Sequence, residues 1–161
     1  MPFIDRLRFR ATRDLQNDPN WRGIERFSSN ILGPWRTYVP SWTAVTTNPT
    51  IGNGTIFGRW REFGDLVWIW VSIVSGSTTT FGSGFYSVSI PFRSSPLAEQ
   101  AIPAQLRSPT DTRRYALSGN VQPSSLQIVR FNWAGGALTG TAPVTLAAGD
   151  IINVQGFYVP A

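Results

Sequence analysis

The chain has no cysteine, no histidine and no lysine. Without cysteine there is no disulfide, no thiol nucleophile and no thiolate metal site. Without histidine the commonest general base and metal ligand is gone. Charge is scarce too, at 14% of 161 residues against a usual quarter. Hydrophobic runs are short. The longest, residues 66–74, is broken by Ser72 and has strand length, so no membrane insertion is expected. Residues 1–5 lead straight into charge and show no apolar signal core. The expectation is a protein made in the cytoplasm.

What is present is unusual in kind. All fourteen positive residues are arginine, giving a net charge of +5. Arginine's planar fork suits carboxylates, phosphates and aromatic faces, although a GC-rich genome produces the same usage. The arginines scatter from Arg6 to Arg130, with Arg113-Arg114 the longest run, so no specific nucleic-acid binding is expected. Paired carboxylates would be the remaining route to catalysis, with Glu62, Asp65, Glu99, Asp111 and Asp150 as candidates. Residues 62–65 read as a hairpin turn, however, and Asp150 follows a turn glycine. No run of spaced acids resembles a calcium loop. The Gly-Asn-Gly at 52–54 and Gly-Ser-Gly at 82–84 are β-turns lacking a following helix. No catalytic residue, no cofactor and no metal site is expected. The seven tryptophans read first as core and interface; only an exposed ring would favour a sugar ligand.

Three parts follow along the chain. Residues 1–17 alternate as Arg6-Leu7-Arg8-Phe9-Arg10, an extended arm with one apolar and one cationic face. Residues 18–34 form a short helix and linker, with Asp18 as N-cap, Pro19 in the first turn and Gly33-Pro34 as the stop. Trp21, Ile24, Phe27 and Ile31 make its single apolar stripe. Residues 35–161 are β throughout. Residues 65–74 alternate, with Val67, Ile69, Val71 and Ile73 on one face and Trp68 and Trp70 on the other. Further strands are predicted over 85–92, 113–121 and 126–133, then a short strand at 143–148, a Gly149-Asp150 turn and a closing strand to Tyr158. Seven or eight short antiparallel strands punctuated by Gly and Pro predict a β-sandwich of jelly-roll type.

Tyr38-x-Pro40-x-Trp42-Thr43, Asn48-Pro49-x-Ile51-Gly52-Asn53-Gly54-Thr55-x-x-Gly58-Arg59-Trp60 and Gly64-x-x-Val67 together resemble a pattern of phage virion proteins. These are minor-tail, tail-fibre and head-fibre or decoration proteins, often of phages infecting actinobacteria. The closing Leu146-x-x-Gly149-Asp150-x-Ile152-x-Val154-x-Gly156-x-Tyr158 is similar to the end of trimeric, tumour-necrosis-factor-like jelly rolls. The resemblance implies a non-enzymatic virion protein: a homotrimer with other tail or capsid proteins as partners. It transfers no binding site. On it rest two expectations. Arg6, Leu7, Arg8, Phe9, Arg10, Trp21, Ile24, Phe27 and Ile31 would dock on the particle, with the sandwich displayed outward in a tail-fibre or minor-tail role, including host adsorption. Arg59, Trp60, Arg61, Trp68, Trp70, Phe157 and Tyr158 would form the subunit interface. A capsid-decoration protein and a carbohydrate-binding module reading host glycan are the alternatives.

Overall fold

Alternating residues that are apolar on one side only make strands that must bury that side, and the sequence supplies them at close intervals. A computed structural model describes residues 33–109, 111–123 and 128–161. The expected arm and helix lie outside them. Ten strands follow: β1 (Arg36–Tyr38), β2 (Trp42–Ala44), β3 (Thr55–Phe63), β4 (Leu66–Val74), β5 (Tyr86–Ser89), β6 (Gln100–Ser108), β7 (Arg113–Val121), β8 (Ile128–Trp133), β9 (Gly136–Ala137) and β10 (Ile151–Tyr158). All neighbours are antiparallel, and there is no helix among the described residues.

The strands form one sheet in the order β1-β3-β4-β10-β6-β7-β8-β5-β2, with β9 on β8. The expected class, all-β and antiparallel, is what forms. Instead of two separate stacked sheets there is one continuous hydrogen-bonded sheet, strongly curled as a half-barrel. Its topology requires the curl. β1 and β2 are at opposite ends of the order, yet only Val39, Pro40 and Ser41 join them. That link reaches roughly 14 Å, whereas eight flat inter-strand steps would span about 38 Å. The edges are accordingly drawn together. Ser89 N–H donates to the Ser41 carbonyl at 3.0 Å, Ser41 N–H to Ser89 Oγ at 2.8 Å, and the Tyr38 hydroxyl to the Ser89 carbonyl at 3.1 Å.

Curling puts one face of every long strand inside. Val67, Ile69, Val71 and Ile73 of β4 meet Ile152, Val154 and Tyr158 of β10, Ile102 and Leu106 of β6, and Val129 and Phe131 of β8 in a single buried cluster. Gly119 of β7 lies at its centre. A Cβ there would come within 2.8 Å of Val129 Cγ1 and 3.0 Å of Val154 Cγ2. The β3–β4 hairpin turns on Gly64 and Asp65, with Gly64 at a φ of +57°, the left-handed geometry that glycine adopts freely.

Some sequence expectations shift. Residues 143–148, expected as a strand, form none: a bend at 143–144 leads through irregular chain into the turn at 148–149. The Ala147–Asp150 turn is tied instead to Ser75, whose hydroxyl donates to the Ala147 carbonyl at 2.6 Å. The Gly-Asn-Gly at 52–54 is a β-turn as expected, Gly54 N–H donating to the Ile51 carbonyl at 2.9 Å, and Asn53 is laced to the facing loop, accepting from Thr78 N–H at 3.0 Å. β6 is a full nine-residue strand despite Pro103. Its ladder to β10 stops at Ala104, one residue before the proline that cannot donate.

Candidate functional site

The chemistry-bearing side of the molecule is the outward face of β3, β4, β10 and β6. Register builds it row by row. Phe63 of β3 opposes Leu66 of β4; Arg61 opposes Trp68, which opposes Phe157 of β10. Arg59 opposes Trp70, which opposes Gln155; Phe57 opposes Ser72, which opposes Asn153, and that residue opposes Gln105 of β6. The face therefore has an aromatic end near the hairpin turn and an amide end away from it. No acidic residue occurs in these rows.

At the aromatic end the rings interlock. Trp68 meets Trp35 at 5.7 Å and Phe157 at 4.9 Å between centroids, and Phe157 meets Phe63 edge-on at 5.8 Å. Arginine fills the spaces between rings. The Arg59 guanidinium lies 4.4 Å from the Trp35 centroid and 4.2 Å from that of Trp70, and Arg61 lies 5.3 Å from Trp35. These are cation–π contacts, strengthened where water is excluded. The Nε atoms of both arginines are buried without a hydrogen-bond partner among the described residues. Considerable ring surface remains in solvent: Trp35, Phe57, Phe63 and Phe157 are 38–42% exposed.

The seven residues expected at a subunit interface divide here. Arg59, Arg61, Trp68, Trp70 and Phe157 share the outward face. Trp60 and Tyr158 do not: they point into the core at 8% and 1% exposure. The reason is the strand period, since residues adjacent to Arg59, Arg61 and Phe157 must lie on the opposite side. Trp60 packs edge-on against Phe92 at 4.6 Å, and the Tyr158 hydroxyl donates to the Phe92 carbonyl at 3.1 Å. Burial raises the Tyr158 phenol above its ordinary pKa, partly offset by the Phe92 N–H, which donates to the phenol oxygen at 3.2 Å. The expected docking residues Arg6, Leu7, Arg8, Phe9, Arg10, Trp21, Ile24, Phe27 and Ile31 lie outside the described residues.

The carboxylates are dispersed. Glu62 and Asp65 flank the hairpin turn and are exposed. Glu99 accepts from the amides of Asn120 and Gln122. Asp111 accepts from the Tyr115 hydroxyl and lies 3.4 Å from Arg113. Asp150 is buried as a turn brace, accepting from Ala147 N–H at 2.8 Å. No three His, Cys, Asp or Glu gather into a metal-holding group among the described residues.

The amide end was not singled out from sequence. Trp70, Pro103, Ala104, Gln105, Asn153 and Gln155 line a cleft of about 360 Å³. The available signal was Asn153 and Gln155 alternating with the inward Ile152 and Val154. It has meaning only once β10 is known to lie between β4 and β6. No family model, curated protein or solved structure matches this chain.

Proposed function

We propose that the chain is a non-enzymatic structural protein of a phage particle. It would act as a homotrimer, docked through residues 1–34 with the curled β unit displayed as a jelly-roll-like head. The observation that carries this reading is the aromatic end of the outward face. Three rings there, Trp35, Phe63 and Phe157, each about two-fifths exposed, leave on the order of 240 Å² of aromatic surface linked through Trp68, taking ~200 Å² per ring. Patches of that size on a soluble protein are commonly functional. A stable interface needs about 800 Å² per partner, so polar surface on the hairpin-turn side of the rings, away from the amide end, must join it.

The charge pattern favours a ring of copies over a two-fold dimer. A two-fold pairing of this face on itself would set Arg59 and Arg61 against their own counterparts with no acid between them. In a cyclic assembly the face meets a different surface of the next copy, and the exposed Glu62 and Asp65 are available there to receive arginine.

Light scattering on the full chain tests the assembly. Three times the 17.8 kDa chain mass is expected, falling to one chain mass in a Trp68→Ala/Phe157→Ala variant. A monomer at all concentrations overturns the trimer. Immunogold imaging of particles made from the encoding phage genome tests the rest. Label at the tail supports the tail-fibre or minor-tail role, label over the shell supports decoration, and unlabelled particles exclude both.

A further inference from the structure

The amide end of the same face has the makings of a ligand site. Its cleft of about 360 Å³ falls within the range of small-molecule clefts. β10 runs between β4 and β6, so the cleft lies in mid-sheet, with Gln155 opposite Trp70 and Asn153 opposite Gln105. From Ile151 to Val154 backbone ladders hold β10 on both sides, which leaves no free edge for an added strand at Asn153. No charged residue lines the cleft. The side-chain amides of Asn153 and Gln155 make no hydrogen bond among the described residues. The Gln105 carbonyl oxygen accepts from Arg114 at 3.1 Å, which leaves the Gln105 NH₂ free to donate. Trp70 is fixed in place before any ligand arrives, by Arg59 at 4.2 Å and by Phe57 meeting it edge-on at 6.3 Å.

We infer that this cleft binds a neutral, hydroxyl-rich ring: a pyranose unit of a glycan. Asn153 and Gln155 each offer a donor and an acceptor side by side, and Gln105 adds its NH₂, which matches the hydroxyls of a sugar. Trp70 offers apolar surface to the ring's C–H side. Competing chemistries fare worse. An anion would find no charge in the lining. A purely apolar ligand would cover the Asn153 and Gln155 amides without giving them a partner, at roughly 1–3 kcal/mol each. A pre-positioned aromatic ring with convergent amides also avoids the ordering cost that weakens binding at mobile sites. The inference rests on the virion reading only for the ligand's source, a host cell surface; the sugar chemistry stands without it.

Saturation-transfer NMR on the full chain provides the test. The probes are the methyl pyranosides of glucose, galactose and mannose, with cellobiose, lactose and glucuronate beside them. At least one neutral sugar is expected to show saturable transfer. Asn153→Ala/Gln155→Ala is expected to weaken it roughly tenfold or more. Both substituted residues face outward, so the melting temperature and light-scattering mass of this variant should match those of the parent. Loss of transfer with an unchanged mass thus separates the cleft from the assembly. Transfer to none of the neutral sugars, transfer that survives the double substitution, or transfer to glucuronate alone would each overturn the inference.

Discussion

Arg59 lies 4.2 Å over the ring of Trp70 and also stacks on Trp35, the residue before β1. The guanidinium thus ties the start of the β unit to the middle of its sheet and holds the Trp70 ring at the boundary between the aromatic and amide ends. With Nε buried and without a hydrogen-bond partner among the described residues, its position depends on the rings. Arg59→Ala should cost about 1–2 kcal/mol from two partly desolvated stacks, read as a fall of several degrees in Tm. Arg59→Lys should recover less than half of this, because an ammonium lacks the flat face that stacks. Full recovery by lysine would show that charge alone matters there.

Trp60 and Trp68 test the division of the face. Trp60→Ala empties a core position and should cost about 3–5 kcal/mol in urea unfolding. Trp68→Ala removes outward ring contacts and should cost about 1–2 kcal/mol. Its main effect should instead be on assembly mass. Equal losses of stability would contradict the inward and outward assignment.

Much of this division is legible in the sequence. The β4 alternation gave both faces of that strand, and the bounds of β7 match those predicted. Arg59, Trp60 and Arg61 are consecutive, as are Phe157 and Tyr158, so strand period alone forbids them from sharing one face. β6 is hidden in the sequence because Pro103 interrupts a weakly patterned run. β1 and β2 are too short to carry a pattern. The single curled sheet could not be read locally at all. It depends on β10 inserting between β4 and β6 and on β8 pairing with β5, contacts between residues far apart in the chain. The amide cleft is a product of those same contacts.

Gly119 shows how tightly the curl closes. Gly119→Ala would push a methyl group to within 3.1 Å of Val129, Val154 and Ile102 at once, and none of these can retreat in a packed core. Overpacking of this kind costs about 1–3 kcal/mol. The expected result in thermal unfolding is a lowered Tm, despite alanine's smaller loss of backbone entropy. A raised Tm would mean that the three strands give way more readily than the geometry allows.

Stability should also fail on the alkaline side, through buried phenols. Burial raises Tyr38, with Tyr158 nearby adding to the effect, and it raises Tyr158 and pushes Tyr86 up to about 12. In the unfolded chain these phenols ionise near pH 10. Above that pH the unfolded state holds fewer protons than the folded state, so stability falls as pH rises. The contribution is whole below pH 10 and for Tyr86 is lost by about pH 12. Urea unfolding at pH 7, 9, 10 and 11 should show a flat region and then a decline. Tyr86→Phe gives up the hydroxyl's bond to the Phe81 carbonyl, worth about 1 kcal/mol at neutral pH. It should decline less steeply between pH 10 and 11, because one phenol no longer titrates. An unchanged alkaline slope in that variant would place the loss elsewhere.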